Sequence, residues 1–427
     1  MRRNPLLLTY ETLTRAFAPF APLLLAWRKR VGKEDPARLG ERLGIAGRAR
    51  GDKPVAWLHG ASVGEGLALM PLVERLIERG FEVLVTTGTV TSASVIGARL
   101  PAGAIHQYVP LDAPKFFARF LDHWRPSLVL VAESELWPNM IHALGLRGVP
   151  VVLVNARVSE RSFRRWMKVP AAIGTMLGKV DLCLAQSQDD AGRLVQLGAP
   201  RVQVAGNLKY DVAAPPVDSA QLAEIAAIIG SRPVWVAAST HPGEEDIAAQ
   251  VHLQLEKRFD LLTIVAPRHP ERGDEIATGA ANSGLDVELR SSGAPIAAHS
   301  RFYIADTVGE MGLLYRLASV VFLGKSLTGS GGQNPIEPAK LGCAILHGPR
   351  VENFAEVYRE LDSAQGAVEV GDAETLARML AMLFADSARL RQMARSANEA
   401  VERFAGATNN IMSALEPYFM QMRVERR

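Results

Sequence analysis

A chain of 427 residues is longer than one ordinary core fills, so two domains are expected, each able to bury its own interior. With 48% hydrophobic and 22% charged residues it excludes a disordered protein, and a net charge of +3 falls well short of the surplus a general nucleic-acid binder carries. Cys183 and Cys343 lie far apart in apolar segments, with no disulfide framework or zinc spacing, so a reducing compartment is the default.

The first element is "PLLLTYETLTRAFAPFAPLLLAW", Pro5 to Trp27, interrupted by Glu11 and Arg15 and broken at Pro19 and Pro22. Its uninterrupted part, Ala16 to Trp27, has 12 residues, where a spanning helix needs about 20. Arg2 and Arg3 before it and Arg28, Lys29 and Arg30 after it favour an anionic membrane face. "WRKR" stands where a signal peptide would carry a small-residue cleavage site. Two readings stay open for residues 1–30: an interfacial membrane anchor, or a helix packed on the protein's own core.

From residue 54 short β-branched runs alternate with helical ones. The strand candidates are "PVAWLHG", "FEVLVTTG", "IHQYVPL", "SLVLVAES", "VPVVLVNA", "DLCLAQS" and "RVQVAGN". The pattern pauses at "YDVAAPPVD", where paired prolines predict a linker, and restarts with "PVWVAAST", "LLTIVAP", "LDVELR", "RFYIAD", "SVVFLGK", "CAILHG" and "AVEVG". Such alternation predicts α/β architecture: two Rossmann-like parallel sheets covered on both faces, over 31–212 and 213–405. The last helical stretch, 406–427, is placed to cross back onto the first domain. Ligands of such sheets bind beyond the carboxyl ends of the strands.

"WLHGASVGEG", 57–66, sits in that position after the first strand. Gly60 to Gly64 form G-x-S-x-G, the pattern of a hydrolase nucleophile elbow on Ser62. Against it, Ser62 follows the fold's first strand, and only His241, His269 and His347 fall on strand-end loops that could complete a triad. A plainer reading leaves the glycines a tight turn and Glu65 a complement to a helix N-terminus. Glu65 is better placed for chemistry. Free N–H groups and the macrodipole hold a first-turn carboxylate ionised, ready to take a proton from a sugar hydroxyl without a metal. Gly64 and Gly66 leave room beside it for a bulky acceptor.

With "HGASVGEG" go "VPLDAP", "ESELWPN", "NARVSERS", "GNLKYD", "APRHPER", "DTVGEMGLLY" and "GGQNPIEPAKLG". In this order the set resembles the 3-deoxy-D-manno-octulosonic acid (Kdo) transferases of lipopolysaccharide synthesis, from the N-terminal apolar segment to about residue 360. The resemblance implies a GT-B fold, two Rossmann-like domains facing across a cleft. It also implies CMP-Kdo as donor substrate, a lipid A precursor (lipid IVA) as acceptor, inversion at the anomeric carbon, no cofactor and no metal. The place implied is the cytoplasmic face of the bacterial inner membrane, with no nucleic-acid partner. One departure is Gln333, where the family often has His.

On that resemblance Glu65 is the general base, and Lys209 of "GNLKYD" stabilises charge in the transition state. Glu133 and Glu135 of "ESELWPN" are expected to share one strand face, with Glu133 favoured as the carboxylate that stabilises the transition state or positions the acceptor. An ion pair with the next basic loop is the other reading. That loop, "ARVSERSFRRWMK", offers Arg157 and Arg161 to acceptor phosphates and Phe163 and Trp166 to an acyl region or the bilayer, or is a solvated charged face. Ser62 and Gly64 join the acceptor side.

In the second half Arg268 and His269 are assigned to CMP, with Ser239, Thr240 and His241 beside them. Val308, Gly309 and Glu310 open a helix whose N–H groups suit cytosine edges or phosphate. Gly331 and Gly332 allow close backbone approach, Asn334 is the expected N-cap and Pro335 the first helical residue, with Ile336 in the same donor loop. Glu337 is placed to accept both ribose hydroxyls. His59, His106, His123 and His142 are expected to be structural and without partners. The alternatives carried forward are another GT-B nucleotide-sugar glycosyltransferase, a serine hydrolase on Ser62, and a non-catalytic binding protein.

Overall fold

The structure is a computed structural model and describes residues 4–211 and 214–424. Arg2, Arg3 and the boundary drawn at 212 and 213 lie outside the described residues. The chain divides into two compact units, Met1–Asp211 with Gly406–Arg427, and Val212–Ala405.

The first unit is built on seven strands: β1 (Val55–His59), β2 (Glu82–Thr87), β3 (Ala104–Tyr108), β4 (Leu128–Ala132), β5 (Val151–Ala156), β6 (Leu182–Ala185) and β7 (Val202–Val204). All pair in parallel, in the order β3-β2-β1-β4-β5-β6-β7. The second unit has β8 (Val234–Thr240), β9 (Leu262–Pro267), β10 (Val287–Leu289), β11 (Phe302–Ile304), β12 (Val320–Leu323), β13 (Ala344–His347) and β14 (Ala367–Glu369), again all parallel, in the order β10-β11-β9-β8-β12-β13-β14. Both sheets therefore reverse their winding once, at β1/β4 and at β8/β12. Loops splay apart at such a switch point and leave a crevice at the strands' carboxyl ends.

Alternation of side chains across β1 and β4 divides the first core in two. Trp57, Val129 and Val131 pack with Phe117, Phe120 and Trp124 on one face. Ala56, Leu58 and Leu130 pack with Leu69, Leu72 and Leu76 on the other, where Ile411, Leu415 and Phe419 of the helix Ala407–Val424 join them. Asp211 ties that last helix down, accepting the Gly406 N–H at 2.6 Å and the Thr408 N–H. Because it buries an apolar stripe on the first sheet, the chain's final helix is part of the first unit.

The N-terminal segment forms helices Pro5–Phe17 and Ala21–Arg30 joined by a turn at Ala18–Phe20, with Pro19 and Pro22 at the starts of the new elements. It touches the first unit through Asn139, whose amide donates to Thr14 Oγ1 at 2.9 Å, and through buried Ala21 and Leu25. Leu6, Leu8, Leu13, Phe17, Phe20, Leu23, Leu24 and Trp27 are nonetheless exposed. No described helix is long and apolar enough to cross a membrane.

The four histidines expected to lack partners have them. His59 Nδ1 bonds Thr86 Oγ1 at 2.9 Å, His106 bonds Arg38 and Thr87 at 3.0 Å each, His123 meets the Arg48 carbonyl at 2.8 Å, and His142 lies 4.0 Å from Glu11. The pattern missed them because their partners come from neighbouring strands and loops rather than adjacent residues. Burial pushes His59, His106 and His252 down to about 4. These rings stay neutral in the folded chain, whereas the unfolded chain takes up protons below about 6.5. Their contribution to stability is thus complete above pH 6.5 and is lost as pH falls toward 4. The urea midpoint is expected to drop across that window, and His252→Gln should flatten the slope; an unchanged slope in the variant would contradict the assignment.

Candidate functional site

At the β1/β4 switch point, Ser62 caps the helix Val63–Glu78 by accepting the Glu65 N–H at 3.3 Å. Its own hydroxyl donates to Glu65 Oε1 at 2.7 Å, and the Ala61 N–H donates to Glu65 Oε2 at 2.9 Å. Glu65 is thereby pinned over the turn, and Gly60 packs closely beneath it, since a Cβ there would sit 3.1 Å from the Glu65 Cβ. Gly64 faces open space, but Gly66 does not: a Cβ on it would meet Ile96 at 2.7 Å, so that glycine serves helix packing rather than acceptor access.

Across the switch point, strand β4 ends at Ala132, so Glu133 and Glu135 do not share a strand face. They lie in the following turn, where Glu133 adopts φ 52°, a left-handed conformation rare outside glycine. That turn sends Glu133 onto Lys209, with Nζ to Oε1 at 2.8 Å, rather than onto the basic loop. Glu135 accepts the Trp137 indole N–H at 2.9 Å. Burial raises its pKa, and the nearby charges of Glu65 and Glu133 raise it further, against the Trp137 bond. Three carboxylates and one lysine, named from three separate motifs, are thus brought together. Since an ionised Glu135 is disfavoured in the folded chain, Glu135→Gln is expected to raise the melting temperature near pH 7.5. The gain should vanish below about pH 4, where the carboxyl is protonated in both states. A thermal scan at the two pH values checks this, and an equal or opposite effect would contradict it.

Lys209 owes its place to residues the sequence reading passed over. Asn155, at the end of β5 with φ 51°, accepts the Leu208 N–H at 2.9 Å; its carbonyl takes the Gln186 amide at 2.9 Å, and Gln186 in turn accepts from Asn207 at 3.2 Å. The available signal was an asparagine closing an apolar strand, the residue type that best tolerates φ above zero. The helix Glu160–Trp166 follows. Arg157 and Arg161 are exposed and make no ion pair among the described residues, while Phe163 and Trp166 pack on the unit's own core instead of facing outward.

In the second unit Ser239, Thr240 and His241 close β8, with Ser239 at φ 54°. The Arg268 N–H donates to the Thr240 carbonyl at 3.0 Å, and the His241 and His269 rings stand edge-on with centroids 6.0 Å apart. Gln333 Nε2 lies 3.4 Å from His241 Nε2. Gly331 and Gly332 take φ 109° and 67°, which a side chain would strain. The helix starts one residue later than expected, at Ile336, because Asn334 bonds the Ile336 N–H at 3.0 Å in a turn that leaves Pro335 outside. Asn334 also donates to Glu337 at 3.3 Å, and burial raises the Glu337 pKa. Val308 is fully outward and Gly309 is left-handed at φ 93°, but Glu310 is held by Arg290 at 2.7 Å and by Thr307, which keeps its pKa low. Glu310 therefore fixes the loop through its side chain. Glu244 is another residue not singled out in the sequence: fully buried, its carboxylate accepts four backbone N–H groups, from His241 at 2.9 Å, Lys325 at 2.7 Å, and Ser326 and Leu327 at 3.0 Å each. Among the described residues no group of three or more His, Cys, Asp and Glu is arranged to hold a metal ion.

Residues 37–212 match the family model described as 3-Deoxy-D-manno-octulosonic-acid transferase (kdotransferase). The 3-deoxy-D-manno-octulosonic acid transferase of Haemophilus influenzae is 33% identical over 93% of this chain and 96% of its own. That of Bordetella pertussis is 36% identical over 95% of this chain and 98% of its own. The chain belongs to the 3-deoxy-D-manno-octulosonic acid transferase family. As a Kdo transferase it is a glycosyltransferase. The crystal structure of a glycosyltransferase from Rickettsia africae, 12% identical, covers 86% of this chain and 98% of its own with a TM-score of 0.57, which shows the shared fold of two parallel-sheet α/β units. Kdo transferase chemistry also corrects the hydrolase reading: Ser62 spends its hydroxyl on Glu65 and the helix start, and no histidine among the described residues bonds it.

Proposed function

We propose that this protein moves Kdo from CMP-Kdo to a lipid A precursor in lipopolysaccharide synthesis, with inversion and without a resident cofactor or metal. The observation that carries the reading is the pinned Glu65 beside the Glu133–Lys209 pair. Glu65 takes the proton of the acceptor hydroxyl as its oxygen attacks the anomeric carbon of Kdo, and the CMP phosphate leaves. With both its oxygens already bonded on one side, Glu65 loses no orientational freedom when it acts. Lys209, aimed by Glu133, offsets negative charge that develops as the phosphate departs. Gly64 leaves the acceptor's path to Glu65 open, and Arg157 and Arg161 are free to fork onto its phosphates.

The donor half of the chemistry falls to the second unit. Arg268 and His269 hold the phosphate with N–H groups of the Gly331–Ile336 loop, Ser239 stands beside them, and Glu337 accepts the ribose hydroxyls. The exposed apolar side chains of the N-terminal helices, followed by Arg28, Lys29 and Arg30, lie on the anionic cytoplasmic face of the inner membrane, where the acceptor resides. The test is CMP release from CMP-Kdo by detergent-solubilised protein, with and without lipid A precursor and with EDTA. Acceptor-dependent, EDTA-resistant release is expected; release that ignores the acceptor would overturn the reading.

A further inference from the structure

One cation at the β8/β12 switch point has no assigned role. Lys325 lies two residues beyond the end of β12, after Gly324, with its backbone at φ 58°. Three contacts fix it there. Its N–H donates to the Glu244 carboxylate at 2.7 Å, its carbonyl accepts the Gly332 N–H at 3.0 Å, and its Cγ passes where a Cβ on Gly329 would stand, 2.9 Å away. A lysine at positive φ is less stable than glycine by roughly 1 kcal/mol, and the backbone bonds to Glu244 and Gly332 hold it there.

The ammonium, by contrast, makes no hydrogen bond or ion pair among the described residues, although Lys325 is half-buried. Glu244, the carboxylate that braces it, has both oxygens engaged by four backbone N–H groups. Burial lowers the His241 pKa, and the charges of Lys325, His269 and Arg268 lower it further, against Glu244, which places these groups in one locale. A cluster of cationic side chains on a frame this fixed is neutralised when an anion enters.

We propose that Lys325 binds an anionic oxygen of the donor, either the phosphate that joins CMP to the sugar or the sugar's own carboxylate. The assignment rests on the donor reading above. Arg268 and the Gly331–Ile336 loop supply hydrogen-bond donors to one anion, and a nucleotide-linked sugar acid carries two.

Lys325→Gly tests it, because glycine accepts φ 58° and keeps the backbone bonds to Glu244 and Gly332 while the cation and its stem are removed. Its melting temperature should equal or exceed that of the wild type, while KM for CMP-Kdo rises about tenfold to a hundredfold, and Lys325→Arg should recover part of the loss. CMP affinity by calorimetry separates the two sources: an equal loss for CMP identifies the phosphate, and an unchanged CMP affinity identifies the carboxylate. Unchanged KM and CMP affinity in the glycine variant would overturn the assignment alone. Wild-type protein that fails to bind CMP would overturn the donor reading, and this assignment with it.

Discussion

Glu65→Gln is expected to lower the rate of Kdo transfer about 10²- to 10⁴-fold, the contribution of one well-placed general base, while CMP affinity stays as it was. Glutamine can accept the Ala61 N–H on its amide oxygen and donate from its amide nitrogen to the Ser62 Oγ, so the turn should survive and only proton uptake is lost. Ser62→Ala is the companion variant. It removes a helix cap, at about 1 kcal/mol of stability, and loosens Glu65, yet should retain far more activity than Glu65→Gln. A serine nucleophile would produce the reverse order. Steady-state rates of both variants against melting temperature distinguish a chemical defect from an unfolded enzyme.

Lys209→Met is expected to reduce kcat about 10²- to 10³-fold, the range seen when one charge-stabilising donor is removed from a transition state. Methionine preserves the apolar stem but leaves Glu133 without its 2.8 Å partner. The pair is partly exposed, so its loss should cost little stability. Lys209→Arg should rescue only in part, since the planar guanidinium cannot reproduce the single short contact. If kcat were unchanged and KM alone rose, Lys209 would be a binding group and its place in the transition state would be lost.

The alternation of short β-branched runs with helical ones was enough to locate the fourteen strands of the described residues; the central ones, such as β1, β4 and β5, are buried on both faces and read as nearly unbroken apolar segments, while the edge strands β7 and β10 carry a polar residue between apolar ones. The switch points were not legible, since strand order is set by pairings between distant segments. For the same reason the sequence placed Glu65 and Glu133 at strand ends and Lys209 at the junction of the two domains, but could not show that Lys209 reaches Glu133, or that Glu135 feels both other carboxylates. Local conformation misled twice. The left-handed turn at Glu133 ended β4 before the two glutamates, and the Asn334 side-chain turn delayed the donor-loop helix to Ile336. Residues whose work is done through backbone bonds, Asn155 and Glu244, carried the weakest signal, because nothing in the composition around them marks a partner many residues away.

The most direct test of the proposed reaction is the mass of the acceptor itself. Purified protein incubated with CMP-Kdo and a tetraacylated lipid A precursor is expected to convert the lipid to a species heavier by one or more Kdo residues, and Glu65→Gln to leave it unconverted on the same timescale. An acceptor that keeps its mass while CMP is released would mean that the enzyme hydrolyses its donor, and Kdo transfer through Glu65 would be contradicted.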